Sequence, residues 1–347
     1  MKTITLGSTG ITVPQNAFGA LPIQRDSFEV AAALVNKAYR GGMTFFDTAR
    51  MYSDSEEKIG LAFGDTLFKN ARESVYIASK THAKTPDEFW AHLETSLTNM
   101  KTDYIDIYQF HCATKCFKPG DGTGMYECML EAKRQGKIRH IGITAHLLPI
   151  AHEAVDSGLY ETLQFPFSYL AGEKELELVK KCQEKNMGFI AMKALAGGLI
   201  TDSAAAFAYI SQFENVVPIW GVQRESELDE FLAFFASPAA LTPERRAFIE
   251  KERKELVGDF CRGCGYCMPC PAGIEINTCA RMALMIRRSP SKNWLTPKAQ
   301  EMMKNINNCV NCGQCAKRCP YQLDTPHLLK KNLEDYERIL AGKVEVG

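Results

Sequence analysis

The sequence predicts an α/β protein in two domains: a (β/α)8 TIM barrel over residues 1–255 and a smaller, mostly α-helical domain over 256–347. Three observations lead there. Short β-rich runs recur roughly every 30 residues through the first domain, each followed by a helical pattern. Eight such pairs in about 250 residues is the rhythm of a closed barrel. Beyond residue 255 the alternation stops, and cysteine and proline cluster instead. A doubly wound sheet is the competing fold, but no Gly-x-Gly-x-x-Gly follows the first strand.

The strands are expected at Ala17–Ala20, Thr44–Phe46, Val75–Ala78, Ile105–Phe110, His140–Ile143, Thr162–Phe165, Phe189–Met192 and Val216–Ile219. Apolar residues at Phe28, Ala31, Ala32, Leu34, Val35, Ala38 and Tyr39 mark the first helix, closed by Gly41-Gly42, with Asp26 as its N-cap. Thr85-Pro86-Asp87-Glu88 opens another through Met100, with proline at its first position. In the second domain a helical stretch is expected around Ile276–Arg288. A closing helix begins with Thr325 as cap and Pro326 at its first position. It presents Leu328, Leu329, Leu333, Tyr336, Ile339 and Leu340 as a packing face.

Charge and composition exclude some partners. The 41 basic and 41 acidic side chains cancel, so no global field recruits nucleic acid or an anionic membrane. The start Met1-Lys2-Thr3-Ile4-Thr5-Leu6-Gly7 has no apolar signal core, and no stretch approaches the ~18 apolar residues of a membrane span. With 13 cysteines and no export signal, the expected location is a reducing cytoplasm. Five cysteines stand outside the runs described next: Cys112, Cys116, Cys128, Cys182 and Cys279, mostly buried core thiols.

Two runs carry the other eight. Cys261-x-x-Cys264-x-x-Cys267-x-x-Cys270-Pro271 and Cys309-x-x-Cys312-x-x-Cys315-x-x-x-Cys319-Pro320 are separated by residues 271–308, 38 residues in all. The second spacing is that of bacterial two-cluster ferredoxins, whose fourth cysteine serves the other cluster. On that pattern Cys261, Cys264, Cys267 and Cys319 hold one [4Fe–4S] cluster, and Cys309, Cys312, Cys315 and Cys270 hold another. The first run is one residue shorter before its last cysteine, which leaves the crossing of Cys270 open. Structural zinc uses four ligands, commonly as two separated knuckles, whereas each run here packs four cysteines into one short loop.

The barrel carries a second constellation, because residues at the C-terminal ends of barrel strands form the active site. Asp47 and Tyr52 follow the second strand, Lys80 ends the third and His111 follows the fourth, so four polar groups converge at one mouth. A phenol is a sluggish acid at neutral pH, with a reference pKa of about 10. The expectation is that the Lys80 ammonium lowers it while Asp47 holds Lys80 charged and in place. Tyr52 then protonates a carbonyl oxygen as hydride reaches the carbon, and His111 orients the carbonyl or shares the proton.

Here residues 1–255 resemble the aldo/keto reductase family. Besides the four residues, Leu6-Gly7-Ser8-Thr9-Gly10 is similar to its N-terminal hairpin, and Ser55-Glu56 with Ile59-Gly60 to the segment after its catalytic tyrosine. Gly136-Lys137-Ile138-Arg139-His140-Ile141-Gly142 resembles the approach to its fifth strand. With the cysteine runs, the whole chain resembles a branch of that family fused to a bacterial-type ferredoxin domain. The resemblance implies hydride transfer with NAD(P)H and a catalytic tetrad of Asp47, Tyr52, Lys80 and His111. It implies dinucleotide contacts from Gly19, Ala20, Asp47, Thr144, Gln164 and Met192, from Gly198 and Leu199 within Gly197–Leu199, and from Gly221, Gln223, Arg224 and Glu230.

The chain departs from the family pattern at three places. Ala145 follows Thr144 where an asparagine usually binds the carboxamide, and Met192 stands where an aromatic usually stacks on nicotinamide. After the eighth strand, Gly221 and Glu227 replace basic residues that clamp a 2′-phosphate, leaving Arg224 as the only fork. A carboxylate there suits a ribose diol, so NADH is favoured over NADPH.

A hydride moves two electrons and a cubane accepts one, so the two halves do not couple simply. Three resolutions stand open: structural or separately working clusters, a flavin or radical-prone substrate in the barrel (no motif indicates a flavin), or a barrel that is only a docking scaffold of an electron carrier. The expected partners are a small carbonyl or alcohol substrate and a redox protein, with neither nucleic acid nor membrane. Cys112 and Cys116, on the loop after His111, are read either as ordinary loop thiols or as one thiol touching substrate; His146 is read as a surface-loop residue in preference to a pocket residue.

Overall fold

The computed structural model describes residues 1–256, 260–263, 265–288, 291–319 and 321–346. It divides into two compact units, one of residues 1–194 and 203–243, the other of 195–202 and 244–347.

The first unit opens with an antiparallel hairpin, β1 (Thr3–Thr5) and β2 (Thr12–Pro14). Eight parallel strands follow: β3 (Ala17–Gly19), β4 (Phe45–Asp47), β5 (Tyr76–Thr81), β6 (Ile105–Phe110), β7 (Ile138–Thr144), β8 (Thr162–Pro166), β9 (Gly188–Met192) and β10 (Val216–Gly221). They close in chain order, with β10 pairing back onto β3. Each expected strand is present, with ends shifted by up to three residues. Ile4, Leu6, Ile11 and Val13 of the hairpin pack on the barrel residues Ala17, Phe45, Ala78, Ile107, Ile190 and Val217, so the hairpin plugs one end of the barrel. Because strand side chains alternate, the same parity that buries Phe45, Ala78 and Ile107 turns Asp47, Lys80 and Gln109 inward near the other end.

Helices wrap the strands at Phe28–Arg40, Pro86–Met100, Met125–Arg134, Leu148–Ser157, Glu173–Glu184, Ser203–Ile210 and Glu225–Ala236. The first is capped by Ser27, whose side chain accepts from Val30 N, rather than by the expected Asp26. Thr85 caps Pro86–Met100 as expected, accepting from Glu88 N.

In the second unit helices run over Pro243–Glu255, Ile276–Cys279, Met282–Arg288, Pro297–Lys304, Gln314–Lys317 and Thr325–Leu340. The single helix expected over Ile276–Arg288 is broken in two. Asn332 accounts for the break: its side chain accepts from Ala283 N at 2.8 Å and donates to Ala280 O at 3.3 Å, replacing helical bonds. The closing helix is capped by Asp324, whose carboxylate accepts from His327 N, so Thr325 is its first residue and not its cap. Leu328, Leu329, Leu333, Tyr336 and Ile339 pack with Ile274, Met282, Ile286 and Met303 in a core that includes Cys261, Cys267, Cys279 and Cys315. Leu340, expected on that face, is exposed. No helix among the described residues is long and apolar enough to cross a membrane.

Candidate active site and cluster loops

The barrel site is built on a buried ion pair. Lys80 Nζ donates to Asp47 Oδ1 at 2.6 Å and to the Thr48 carbonyl at 2.6 Å, and both side chains are almost fully enclosed. Burial pushes the Asp47 carboxyl up, and the Lys80 ammonium opposes that. Gln164 Nε2 reaches the same oxygen at 3.5 Å while its carbonyl accepts from Gln109 Nε2 at 3.0 Å. The other oxygen, Asp47 Oδ2, is buried without a hydrogen-bond partner among the described residues.

Tyr52 and His111 cover this pair. The Lys80 ammonium lies 5.0 Å from the centre of the Tyr52 ring, and the Tyr52 and His111 rings meet edge to face at 5.6 Å. Burial, reinforced by Asp47 and Cys112, holds the Tyr52 hydroxyl well above the ordinary phenol range. This corrects the expected lowering by Lys80: desolvation of the phenolate and the neighbouring carboxylate outweigh the ammonium, whose position is over the ring face. His111 is pushed well below the usual imidazole range by burial first, then by Lys80, His82 and His146. Its Nδ1 is buried without a hydrogen-bond partner among the described residues.

The segment after Tyr52 braces the site. Ser55 Oγ donates to Ala20 O at 3.0 Å and pairs with Thr48 Oγ1 at 2.9 Å. Glu56 is buried, holding Arg50 and accepting from Ser79 Oγ at 2.7 Å. Neither the Glu56–Arg50 pair nor Gln109 was singled out in the sequence; Gln109 shares strand parity with His111 two residues on, which is the signal that could have found it. His146, read as a surface residue, is instead buried, and burial with the Lys193 charge pushes it down to about 3. Cys112 N donates to Thr144 Oγ1 at 2.7 Å, and its thiol stands within electrostatic reach of Tyr52. Cys116 is a core thiol, pushed up by burial.

The proposed dinucleotide residues fall into two groups. Gly19 pairs with Asp47 across β3 and β4, Ala20 N donates to Asp47 O at 2.8 Å, Thr144 and Met192 end β7 and β9, and Gln164 lies within β8 in register with Thr144. Gly221 ends β10, and Gln223 N and Arg224 N both donate to Glu227 Oε2. Arg224 spends its fork on Glu227 Oε1, through Nε at 2.8 Å and Nη2 at 2.5 Å, in a capping box at the start of Glu225–Ala236. Glu230 is exposed on that helix. Gly198 and Leu199 belong to the second unit. Leu199 is fully buried, and nothing lies within 4 Å of a methyl built on Gly198.

In the second unit Cys270, Cys309, Cys312 and Cys315 line one cavity together with Cys267, Ile274, Ile276 and Leu329. Cys264 and Pro320 lie outside the described residues. Gly263 N donates to Cys261 Sγ at 3.3 Å. Asn311 and Gly313, between the cysteines of the second run, adopt left-handed conformations that turn the loop back on itself. Among the described residues no group of three His, Cys, Asp or Glu is placed to hold a single metal ion. A cubane asks for something else, four thiolates each on a separate iron in a largely apolar recess, and the lining of this cavity fits it.

Sequence comparisons fall on the same two regions. The profile of the aldo/keto reductase family matches residues 15–216, and that of a 4Fe-4S dicluster domain matches residues 260–324. Among curated relatives, an oxidoreductase of Bacillus subtilis called YrpG is 29% identical over 59% of this chain and 69% of its own length. Methylglyoxal reductase DkgB of Salmonella typhi is 31% identical over 42% of this chain, which spans about half (52%) of that relative's length. Among solved structures, the aldo-keto reductase AKR11C1 from Bacillus halodurans, in its holo form, superposes with a TM-score of 0.62 at 22% identity. That match covers 73% of this chain and 96% of that one.

Proposed function

Because this chain belongs to the aldo/keto reductase family and carries a C-terminal 4Fe-4S dicluster domain, it is an iron–sulfur oxidoreductase, and we propose that its reaction is NAD(P)H-dependent reduction of a small aldehyde or ketone, or the reverse alcohol oxidation. The observation that carries this reading is the enclosed Asp47–Lys80 pair lying under Tyr52 and His111.

A bound nicotinamide would supply the hydride to the carbonyl carbon. Tyr52 gives its proton to the carbonyl oxygen, completing the alcohol; its raised pKa keeps that proton in place at neutral pH until the oxygen becomes basic. Lys80, fixed by Asp47, sets a positive charge beneath the ring and stabilises the phenolate left behind. His111, neutral at physiological pH, orients the carbonyl oxygen without competing as a charged acid. Gln164 and Thr144 are suited to the carboxamide, and Met192 to one face of the ring. The pairing of Arg224 with Glu227 supports a preference for NADH, since that guanidinium is engaged and a carboxylate repels a 2′-phosphate.

In the second unit we assign Cys261, Cys264, Cys267 and Cys319 to one cluster and Cys270, Cys309, Cys312 and Cys315 to the other, on the ligand pattern of two-cluster ferredoxins. The clusters supply one-electron exchange with a separate redox partner. Residues 1–255 then carry the hydride chemistry and 256–347 the electron carrier.

The test is an anaerobic NADH titration of the reconstituted protein with a panel of small carbonyls. Carbonyl-dependent NADH oxidation that disappears in Tyr52→Phe is expected. Dinucleotide binding with no carbonyl-dependent turnover, or turnover that survives Tyr52→Phe, overturns the reading.

A further inference from the structure

One arginine in the second unit is placed against two loops at once. Arg281 stands in the break between helices Ile276–Cys279 and Met282–Arg288, with its side chain largely withdrawn from water. A methyl built on Gly263, in the loop between Cys261 and Cys264, would lie 2.8 Å from Arg281 Nη1 and 3.0 Å from Cζ. A methyl built on Gly197, in the 195–202 segment of the same unit, would lie 2.8 Å from the same nitrogen. Both glycines have φ of +68°, a left-handed conformation that brings bare backbone against the guanidinium. Arg281 Nε is buried without a hydrogen-bond partner among the described residues. The neighbouring Arg262 is placed differently, over the rings of Phe260 and Tyr321.

We propose that Arg281 is a positioning residue of the Cys261 loop: it raises the reduction potential of the cluster held by Cys261, a reading that rests on the cluster assignment made above. Cluster potentials follow net charge, hydrogen bonds to sulfur and exposure, and a desolvated guanidinium against the ligand loop changes the first. Reduction adds a negative charge that the cation stabilises.

The experiment is an anaerobic, EPR-monitored redox titration of reconstituted wild type, Arg281→Lys and Arg281→Gln. Iron and sulfide contents matching wild type establish that each variant folds and loads; Arg281→Lys keeps the comparison available if the glutamine variant does not load. The expected order of potentials, from the highest, is wild type, then lysine, then glutamine. Equal potentials in wild type and the loaded variants overturn the role of Arg281.

Discussion

Tyr52 and Lys80 carry opposite consequences when replaced. Tyr52→Phe removes the proton given to the carbonyl oxygen, so kcat should fall by about 10²- to 10⁴-fold while the dinucleotide dissociation constant changes little; stopped-flow turnover and fluorescence titration check both. Lys80→Met leaves Asp47 buried beside no cation, which should destabilise the barrel by about 3 to 5 kcal/mol in chemical denaturation. Adding Asp47→Asn should recover part of that loss without restoring turnover. The pH dependence follows from the directions of the two shifts. Tyr52 is pushed up, so its acid form persists past the usual phenol pKa of about 10 and the alkaline fall of kcat for reduction comes later than that. His111 is pushed down, so it stays neutral well below its usual 6.5, and any acid limb it causes falls in that lower range. A kcat profile flat from below pH 6 to about 9 is expected; a break near 6.5 that moves in His111→Gln would show the imidazole titrating as a free one does.

The elements differ in how far neighbouring sequence decides them. The barrel strands were legible because β-branched and aromatic runs alternate with helical periods, and β6, Ile105–Phe110, came out to the residue. Their order then located the polar residues at the C-terminal ends of consecutive strands, which is why Asp47, Lys80, Tyr52 and His111 could be placed together. What escaped is set at a distance. The break between Ile276–Cys279 and Met282–Arg288 is made by Asn332, about 50 residues downstream, and no local signal announces it. The choice of Ser27 over Asp26 is made by φ/ψ at a point where both residues are good caps. His146 follows β7 in a connecting segment but is covered by tertiary packing. The helix Glu225–Ala236 gives a test at this scale, because its capping carboxylate, Glu227, also occupies the fork of Arg224. Glu227→Gln keeps an acceptor for the amides of Gln223 and Arg224 but removes the charge. It should shift the ratio of kcat/KM for NADPH over NADH upward by about tenfold, roughly 1.4 kcal/mol, with a melting temperature close to wild type.

For the whole molecule the question is whether single electrons and hydride share a path. Among the described residues the hydrogen bonds and ring contacts around Asp47, Lys80, Tyr52 and His111 come from barrel residues, and nothing in that chemistry asks for a one-electron donor. A cubane changes by one electron, whereas nicotinamide gives two together, and a direct handoff between them passes through a poor radical. On this reading the clusters serve a partner and the barrel serves the carbonyl. Cys270 makes the division testable, because it lines a cavity with Cys309, Cys312 and Cys315 although its own run lies about 40 residues earlier. Cys270→Ser should lower bound iron from about eight atoms per chain to about four, with the cluster of Cys261, Cys264, Cys267 and Cys319 retained in the EPR spectrum. Carbonyl-dependent NADH oxidation should stay within about threefold of wild type. Iron near eight in the variant would return Cys270 to its own run. Loss of turnover in step with iron, from a barrel whose circular dichroism is unchanged, would put the clusters on the catalytic path, and a mediator between one- and two-electron steps would then have to be sought inside the barrel.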